Sequence, residues 1–334
     1  MSELEFPINL KKHGGLILRF MSSRKRKRPE EEEDDILPDR SNPGEVRILS
    51  ANTCGFDKAK WENLKKMADS NDVDLIFMQE CGPAKEVEDT VGKDWEVNVT
   101  QEKPAAAKIE HRDGKVYPVV PNCGVARFYA TLKRRKTEKL QVSVQPYEPE
   151  NSPAVKDFIF PKESDSGAGS NTEGVRKSKR VKYMPAENLT NLGCLGERGP
   201  QCIKISQTGY MPVTVFNYHA PQGGGSGGRN QSGMDASKGH HILSCVVRDA
   251  RTDCLVIGDQ NVDKLVMQTY YRGKSLLSAP SPERLIHAAG SRALNLEAID
   301  LGNDGKLFNN KGQPGCSDHT PLGLRIFLTE ARAQ

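Results

Sequence analysis

An apolar run at residues 46–50, a helix-spaced segment at 58–70 and a second apolar run at 74–79 follow one another closely, and this succession narrows the fold most. The two runs read as buried strands, while Trp61, Leu64 and Met67 fall on one face of the intervening helix. Strand, helix and strand in quick succession signal an α/β layer. Further on, 125–132 and 140–144 read as a pair of strands separated by the basic patch Lys133-Arg134-Arg135-Lys136. Strands are also expected at 201–206, 212–219, 255–258 and 322–328, with a helix from about 237 to 248. No internal repeat is visible.

The chain of 334 residues is long enough for one large domain or two ordinary ones. Apolar residues make up 36% and charged residues 28%, an average that fits a folded part diluted by polar segments. Residues 1–43 read as a disordered tail, in which Arg24-Lys25-Arg26-Lys27-Arg28 runs into Glu30-Glu31-Glu32-Glu33-Asp34-Asp35. The basic block reads as a nuclear-import signal or a polyanion contact, so a nuclear location is expected, with the cytoplasm as the alternative. Met21 is an alternative start. One domain is expected over 44–330, with a flexible insertion at about 145–182 that ends in the basic stretch 176–182.

No run approaches the roughly 18 apolar residues needed to span a bilayer, so no membrane span is expected. The net charge of +4 is too mild to specify a nucleic-acid partner, which leaves the decision to charge clustering. The eight cysteines are scattered and form no Cys-x-x-Cys pair, against both a disulfide framework and a structural zinc site. The apolar stretch at 14–18 is too short for a secretory leader and ends in Arg19, so reduced thiols in an intracellular protein are expected. The sequons at Asn98, Asn188 and Asn230 are then chance matches.

Polar residues recur where apolar strands end. Residues 46–50 lead to Asn52, 74–78 to Gln79-Glu80, 213–218 to His219, and 255–258 to Asp259-Gln260-Asn261; Cys316-Ser317-Asp318-His319 precedes the closing strand. In layered α/β folds such ends deliver side chains to a shared cleft. Taken singly, each is most simply a solvated or structural strand end. As a set they combine hard oxygen donors suited to Mg²⁺ or Mn²⁺ with two imidazoles able to carry protons, and they hold no Cys or Ser nucleophile. Metal-assisted hydrolysis of a phosphate ester needs these parts.

The ordered series Asn52, Gln79-Glu80, His219, Gly258-Asp259-x-Asn261 and Ser317-Asp318-His319 resembles the endonuclease/exonuclease/phosphatase superfamily, which includes pancreatic-type deoxyribonuclease. Within it, Tyr218-His219-Ala220, Gly223-Gly224, Asp235-Ala236 and His287-Ala288-Ala289-Gly290 resemble the catalytic subunit of cytolethal distending toxins. The resemblance implies an α/β layered sandwich with two packed central β-sheets, helices outside and the active site at one end. It makes Glu80 the principal metal carboxylate with Asn52 beside it, and His219 the proton donor to the leaving oxygen. Asp259 and Asn261 resemble the pair that orients water and grips phosphate. Asp318 resembles the residue that orients an imidazole or helps hold metal, and His319 the imidazole at the scissile phosphate. Asn295, Glu297 and Asp300 compete for a further acidic position. The family's tyrosine-containing DNA-gripping strand is matched only loosely, by Arg127-Phe128-Tyr129.

The activity implied is a Mg²⁺-dependent phosphodiesterase acting on DNA by in-line attack of water. A phosphoinositide phosphatase and a non-enzymatic nucleic-acid-binding member are the alternatives. The glycine-rich stretch 223–228 lacks the Lys-Ser/Thr of a nucleotide loop, and adjacent His240 and His241 are expected to be solvated. The basic stretches 133–136 and 176–182 either track a nucleic-acid backbone or are solvated surface.

Overall fold

Side-chain alternation along the strands decides the layers. In strand β1 (Glu45–Asn52), Val46 and Ile48 join one buried cluster, while Leu49 and Ala51 join another on the opposite face. Strand β2 (Leu75–Cys81) behaves alike, with Leu75 and Phe77 on the first side and Ile76 and Met78 on the second. Helix α1 (Lys58–Ser70) covers the second side with Trp61, Leu64, Met67 and Ala68, and its N-terminus is capped by the Asp57 carboxylate, which accepts from Lys60 N. The computed structural model describes residues 42–101, 108–110, 116–118, 128–148, 152–153, 199–220, 229–250, 252–272, 274–280, 286–291, 293–310 and 312–331. The tail at 1–41, most of the expected insertion, the stretches 176–182 and 223–228, and Asp235 as a side chain lie outside the described residues.

Along the chain follow helix α2 (Ala84–Val91), strands β3 (Trp95–Gln101), β4 (Lys108–Glu110), β5 (Val116–Pro118), β6 (Phe128–Arg134), β7 (Leu140–Gln145), β8 (Gln201–Gln207) and β9 (Val213–Asn217), then helix α3 (Arg229–Asp249). Strand β10 (Asp253–Asp259), helix α4 (Lys264–Tyr270), strands β11 (Ser275–Ser278), β12 (Ile286–Gly290) and β13 (Asn295–Ile299), helix α5 (Gly302–Phe308) and strand β14 (Leu322–Phe327) complete it. One six-stranded sheet runs β13-β14-β1-β2-β6-β3 and the other β11-β12-β10-β9-β8-β7; β4 and β5 form a small separate pair. In each six-stranded sheet one central pair is parallel, β1 with β2 and β9 with β10, and the neighbours are antiparallel. The sheets pack face to face through Val46, Ile48, Phe77, Val215, Leu255 and Ile257, among others. On the outer face of the second sheet, Phe216 and Val256 meet Leu243 and Val247 of α3 and Met267 of α4. This is the layered α/β sandwich implied by the sequence.

One expected pairing is corrected. Strands β6 and β7 do not pair with each other: β6 lies between β2 and β3, and β7 pairs with β8 in the other sheet. With both edges of β6 occupied, the turn after it, marked by Thr137 N donating to Arg134 O at 3.1 Å, carries the chain across to the second sheet. Apolar alternation identified both strands but carries no information about which sheet each joins. Helix α2 and strand β3 had no assignment from sequence, although Val87, Val91 and Trp95 are buried.

Phe77 is fully buried between the sheets whereas Leu307 is 61% exposed, so Phe77→Ala is expected to cost about 3–5 kcal/mol. Leu307→Ala should stay within about 0.5 kcal/mol of the parent. Urea denaturation of the two variants is the check.

Candidate active site

The inter-sheet face that is apolar through most of its length turns polar at one end. Continuing the alternation, Val46 and Ile48 are followed by Ser50 and Asn52, Leu75 and Phe77 by Gln79, Val213 and Val215 by Asn217, and Leu255 and Ile257 by Asp259. All five polar residues are at most 1% exposed. Buried polar groups need partners, and here they find them across the gap. Gln79 Nε2 donates to Asn217 Oδ1 at 2.6 Å and Asn52 Nδ2 to Asp259 Oδ2 at 2.9 Å. Thr131 Oγ1 donates to Gln201 Oε1 at 2.8 Å. The carboxyl ends of the four parallel strands therefore meet at one end of the sandwich.

Glu80 follows Gln79 but leaves the alternation. It adopts φ 54°, and the register between β2 and β6 shifts between Met78 and Cys81. Such a bulge re-aims a side chain at the cost of local strain. Thr53 pins it: its Oγ1 donates to the carbonyls of Gln79 and Glu80, each at 3.1 Å. Gly55 N adds a bond to Glu80 O at 2.9 Å. The result places Glu80 Oε1 3.8 Å from His219 Nδ1.

His219 follows β9, with its backbone N donating to Tyr129 Oη at 3.1 Å. Its Nε2 lies 3.9 Å from Asp259 Oδ2, and His319 Nε2 approaches the same oxygen at 3.4 Å. Asp318 Oδ1 stands 3.5 Å from His319 Nε2. The Ser317 hydroxyl donates to Asn52 O at 2.7 Å, fastening the loop that precedes β14 to the end of β1. Asn261, at φ 48°, donates from its backbone to Asp259 Oδ1 at 3.1 Å and from Nδ2 to Ala220 O at 2.6 Å. Burial pushes the Asp259 carboxyl above its ordinary value, opposed by the His319 charge and by the donors Asn52 and Asn261.

Asn52, Glu80, His219, Asp259, Asn261, Asp318 and His319 are thus brought together. Asn295, Glu297 and Asp300 have other partners or none at this site: Glu297 pairs with Arg325 at 2.8 Å, Asp300 accepts from Gly302 N at 2.9 Å, and Asn295 is exposed on β13. Tyr129 is buried and holds the His219 backbone, so it is not a surface group for gripping DNA. Asn217 escaped sequence reasoning, although its place two residues before His219, on the inward face of β9, was the available signal.

The expectation that His240 and His241 are solvated is overturned. His240 is fully buried and His241 half-buried. The His240 ring stacks on Tyr270 at 5.7 Å, meets Tyr218 edge-on at 5.6 Å, and places Nε2 3.0 Å from Gln260 O. That carbonyl can only accept, so the neutral ring carries its proton on Nε2 and supports the backbone between Asp259 and Asn261. Burial pushes the His240 pKa down to about 4.

The fold is a layered α/β sandwich of two mixed six-stranded sheets with helices outside. No family model and no curated protein matches the chain. Among solved structures, it is similar to a humanized D. rerio TDP2 at 10% identity and TM-score 0.47, covering 86% of this chain and 99% of that one. It is also similar to the human Nocturnin catalytic domain with bound sulfate, at 12% identity and TM-score 0.45 over 86% and 95% of the two chains. A Bacteroides thetaiotaomicron endonuclease/exonuclease/phosphatase family protein gives 11% identity and TM-score 0.43 over 86% and 98%. Likenesses of this size say nothing about chemistry, which has to be read from the residues themselves.

Two outcomes follow from this geometry. Gly258 sits at φ 132°, and a Cβ there would run into the Tyr218 carbonyl oxygen, so Gly258→Ala is expected to cost about 2 kcal/mol in denaturant titrations. The folded-state pKa of His240 lies below the unfolded value, so the unfolded chain takes up the extra proton first as pH falls. The His240 contribution is complete above about pH 6.5 and declines towards pH 4, with about 2 kcal/mol lost between pH 7.5 and 5. Comparing the pH dependence of unfolding for the parent and His240→Gln isolates that slope.

Proposed function

We propose that the chain is a metal-dependent phosphodiesterase that hydrolyses DNA by in-line attack of water. The observation that supports it most is the convergence of two imidazoles on the Asp259 carboxylate, with Glu80 beside His219. The hydroxyls of Ser317 and Thr53, beside Asn52 and Glu80, donate to backbone carbonyls, which favours water over a serine or threonine side chain as nucleophile. Glu80 stands on the Nδ1 side and Asp259 on the Nε2 side of the His219 ring, at 3.8 and 3.9 Å, where carboxylates would support a proton donor to a departing oxygen. Asp259 and Asp318 hold the His319 ring at the site, where it would meet the phosphate.

Among the described residues no group of three or more His, Cys, Asp or Glu side chains is arranged to hold a metal ion. Mg²⁺ needs less, because it uses one or two carboxylates and keeps water and substrate phosphate as its other ligands. The hard oxygens of Glu80 and Asn52, the former turned by a strained bulge, fit that demand. Bound there, Mg²⁺ or Mn²⁺ would neutralise phosphate charge and lower the pKa of water. Full occupancy of the acid–base positions favours an enzyme over a binding-only member of the fold. DNA is preferred over a phosphoinositide because of the basic blocks at 24–28 and 176–182 in the sequence. The first block also motivates a nuclear location, which a reporter lacking residues 24–28 tests directly.

Supercoiled plasmid should be nicked with Mg²⁺ and untouched in excess EDTA, and Glu80→Gln should lose about a hundredfold or more. Turnover in EDTA, or activity confined to a phosphoinositide panel run in parallel, would reject the DNA reading.

The two histidines should also separate. An activated leaving group needs little general acid, whose worth is about 10²–10⁴-fold, so His219→Ala should be largely rescued on a nitrophenyl phosphodiester relative to DNA. His319→Ala should stay poor on both, judged by kcat/KM against wild type. Equal losses on both substrates for His219→Ala would remove its leaving-group role.

A further inference from the structure

Tyr129, at one end of β6, touches the backbone of His219, whereas Arg134 lies five residues along the same strand. At about 3.4 Å per residue, the two ends are roughly 17 Å apart. The basic patch 133–136 therefore sits away from the proposed active site, and it does not line a path to that site. Its residues 134–136 instead wall a cavity of about 320 Å³, in which five lining side chains are cationic and two anionic.

Arg134 is the fixed element of this cavity. Its guanidinium lies 4.7 Å over the Trp95 ring, Nη1 pairs with Asp69 at 2.9 Å, and Nε donates to Val73 O at 2.8 Å. Its Nη2 is buried with no hydrogen-bond partner among the described residues. Asp69 is already matched by two cations, since Lys65 Nζ also reaches it at 2.5 Å. Lys136 pairs with Asp72 at 3.2 Å. Lys93 and Arg135 are exposed and make no ion pair among the described residues; the Arg135 backbone N donates to Asp94 O at 2.9 Å, which brings the two chain segments together.

Two unengaged cations, Lys93 and Arg135, beside a guanidinium pinned by Trp95, Asp69 and Val73 O, are suited to an oxyanion with several acceptors. The cavity is larger than one phosphate needs. Trp95 is 2% exposed beneath Arg134, so it offers no ring face on which a nucleobase could stack. Recognition would rest on charge and acceptor geometry alone. We propose that this cavity binds a small condensed phosphate, of the size and charge of pyrophosphate, independently of the reaction at the other end of the sandwich.

The test titrates the full chain with inorganic pyrophosphate in a metal-chelating buffer, by calorimetry and by tryptophan fluorescence. The two tryptophans, Trp61 and Trp95, lie 5.9 Å apart, so the signal comes from this region. Saturable binding is expected, unchanged in Glu80→Gln and weakened at least about tenfold in Lys93→Ala/Arg135→Ala, with melting temperature and plasmid nicking as in the parent. Absence of saturable binding would overturn the proposal, as would equal binding by the double variant. Loss in Glu80→Gln would assign the anion to the proposed active site. Displacement by a DNA duplex, with weaker DNA binding in the double variant, would make the patch a nucleic-acid contact and reject the condensed-phosphate assignment. Failure of plasmid nicking alone would leave this binding result standing.

Discussion

Asp259 has no exposed surface, and a carboxylate in that position is tolerated because donors surround it. Asn52 Nδ2 reaches one oxygen from the first sheet and the Asn261 backbone reaches the other from its own strand end. His319 comes within 3.4 Å from the loop before β14. One side chain thus ties β1, β10 and the closing segment together, and its satisfaction demands that both sheets keep their register. A slip of one residue in β1 would turn Asn52 away and leave the carboxylate short of a donor. Breaking a buried charged hydrogen bond leaves an uncompensated group behind, which costs more than the bond contributes when made.

The same end of the sandwich carries backbone strain. Glu80 and Asn261 both occupy the left-handed region at positive φ, Glu80 beyond a register shift and Asn261 after Asp259. Residues with a Cβ adopt that conformation only when their surroundings overdetermine it. For Glu80 the surroundings are Thr53 and Gly55, bonded to the Gln79 and Glu80 carbonyls. For Asn261 they are Ala220 O, Asp259 Oδ1 and the neighbouring Gln260 carbonyl braced by His240. At Glu80 the departure redirects the side chain away from the place that regular alternation would assign it, towards the region where the strand ends meet, and at Asn261 it accompanies the bond from Nδ2 to Ala220 O.

Much of this was legible in the sequence because the inward face of each central strand follows one rule. Alternate residues are apolar until the strand nears its end and polar thereafter, as in Val46, Ile48, Ser50 and Asn52. Helix α1 was equally plain, since Trp61, Leu64 and Met67 mark its buried face. What could not be read was long-range. Nothing local to Leu140–Gln145 says that β7 crosses to the second sheet, because β6 is excluded only by the neighbours it already has. His240 was misread for a related reason. Adjacent histidines on a helix diverge, as expected, but the three tyrosines that enclose one of them come from 218, 270 and 271, distant in sequence and adjacent only in the fold.

The basic run 133–136 shows how the fold changes the meaning of a charge cluster. In sequence it is four cations in a row, a pattern that invites a polyanion reading. In the structure, Lys133 faces Glu96, Arg134 faces Asp69 and Lys136 faces Asp72, so three of the four have a carboxylate in reach. Their partners lie on α1, the turn after it and β3, segments that β6 meets only through the sheet. Charge density in sequence therefore overstates the field available to a ligand, and what remains depends on which cations the fold leaves without a partner. Arg135 is the member of the run left in that condition, and it stands at the opposite end of its strand direction from His219. Polar groups at the end that carries the proposed active site are largely engaged in holding one another; at the far end, part of the positive charge is left over.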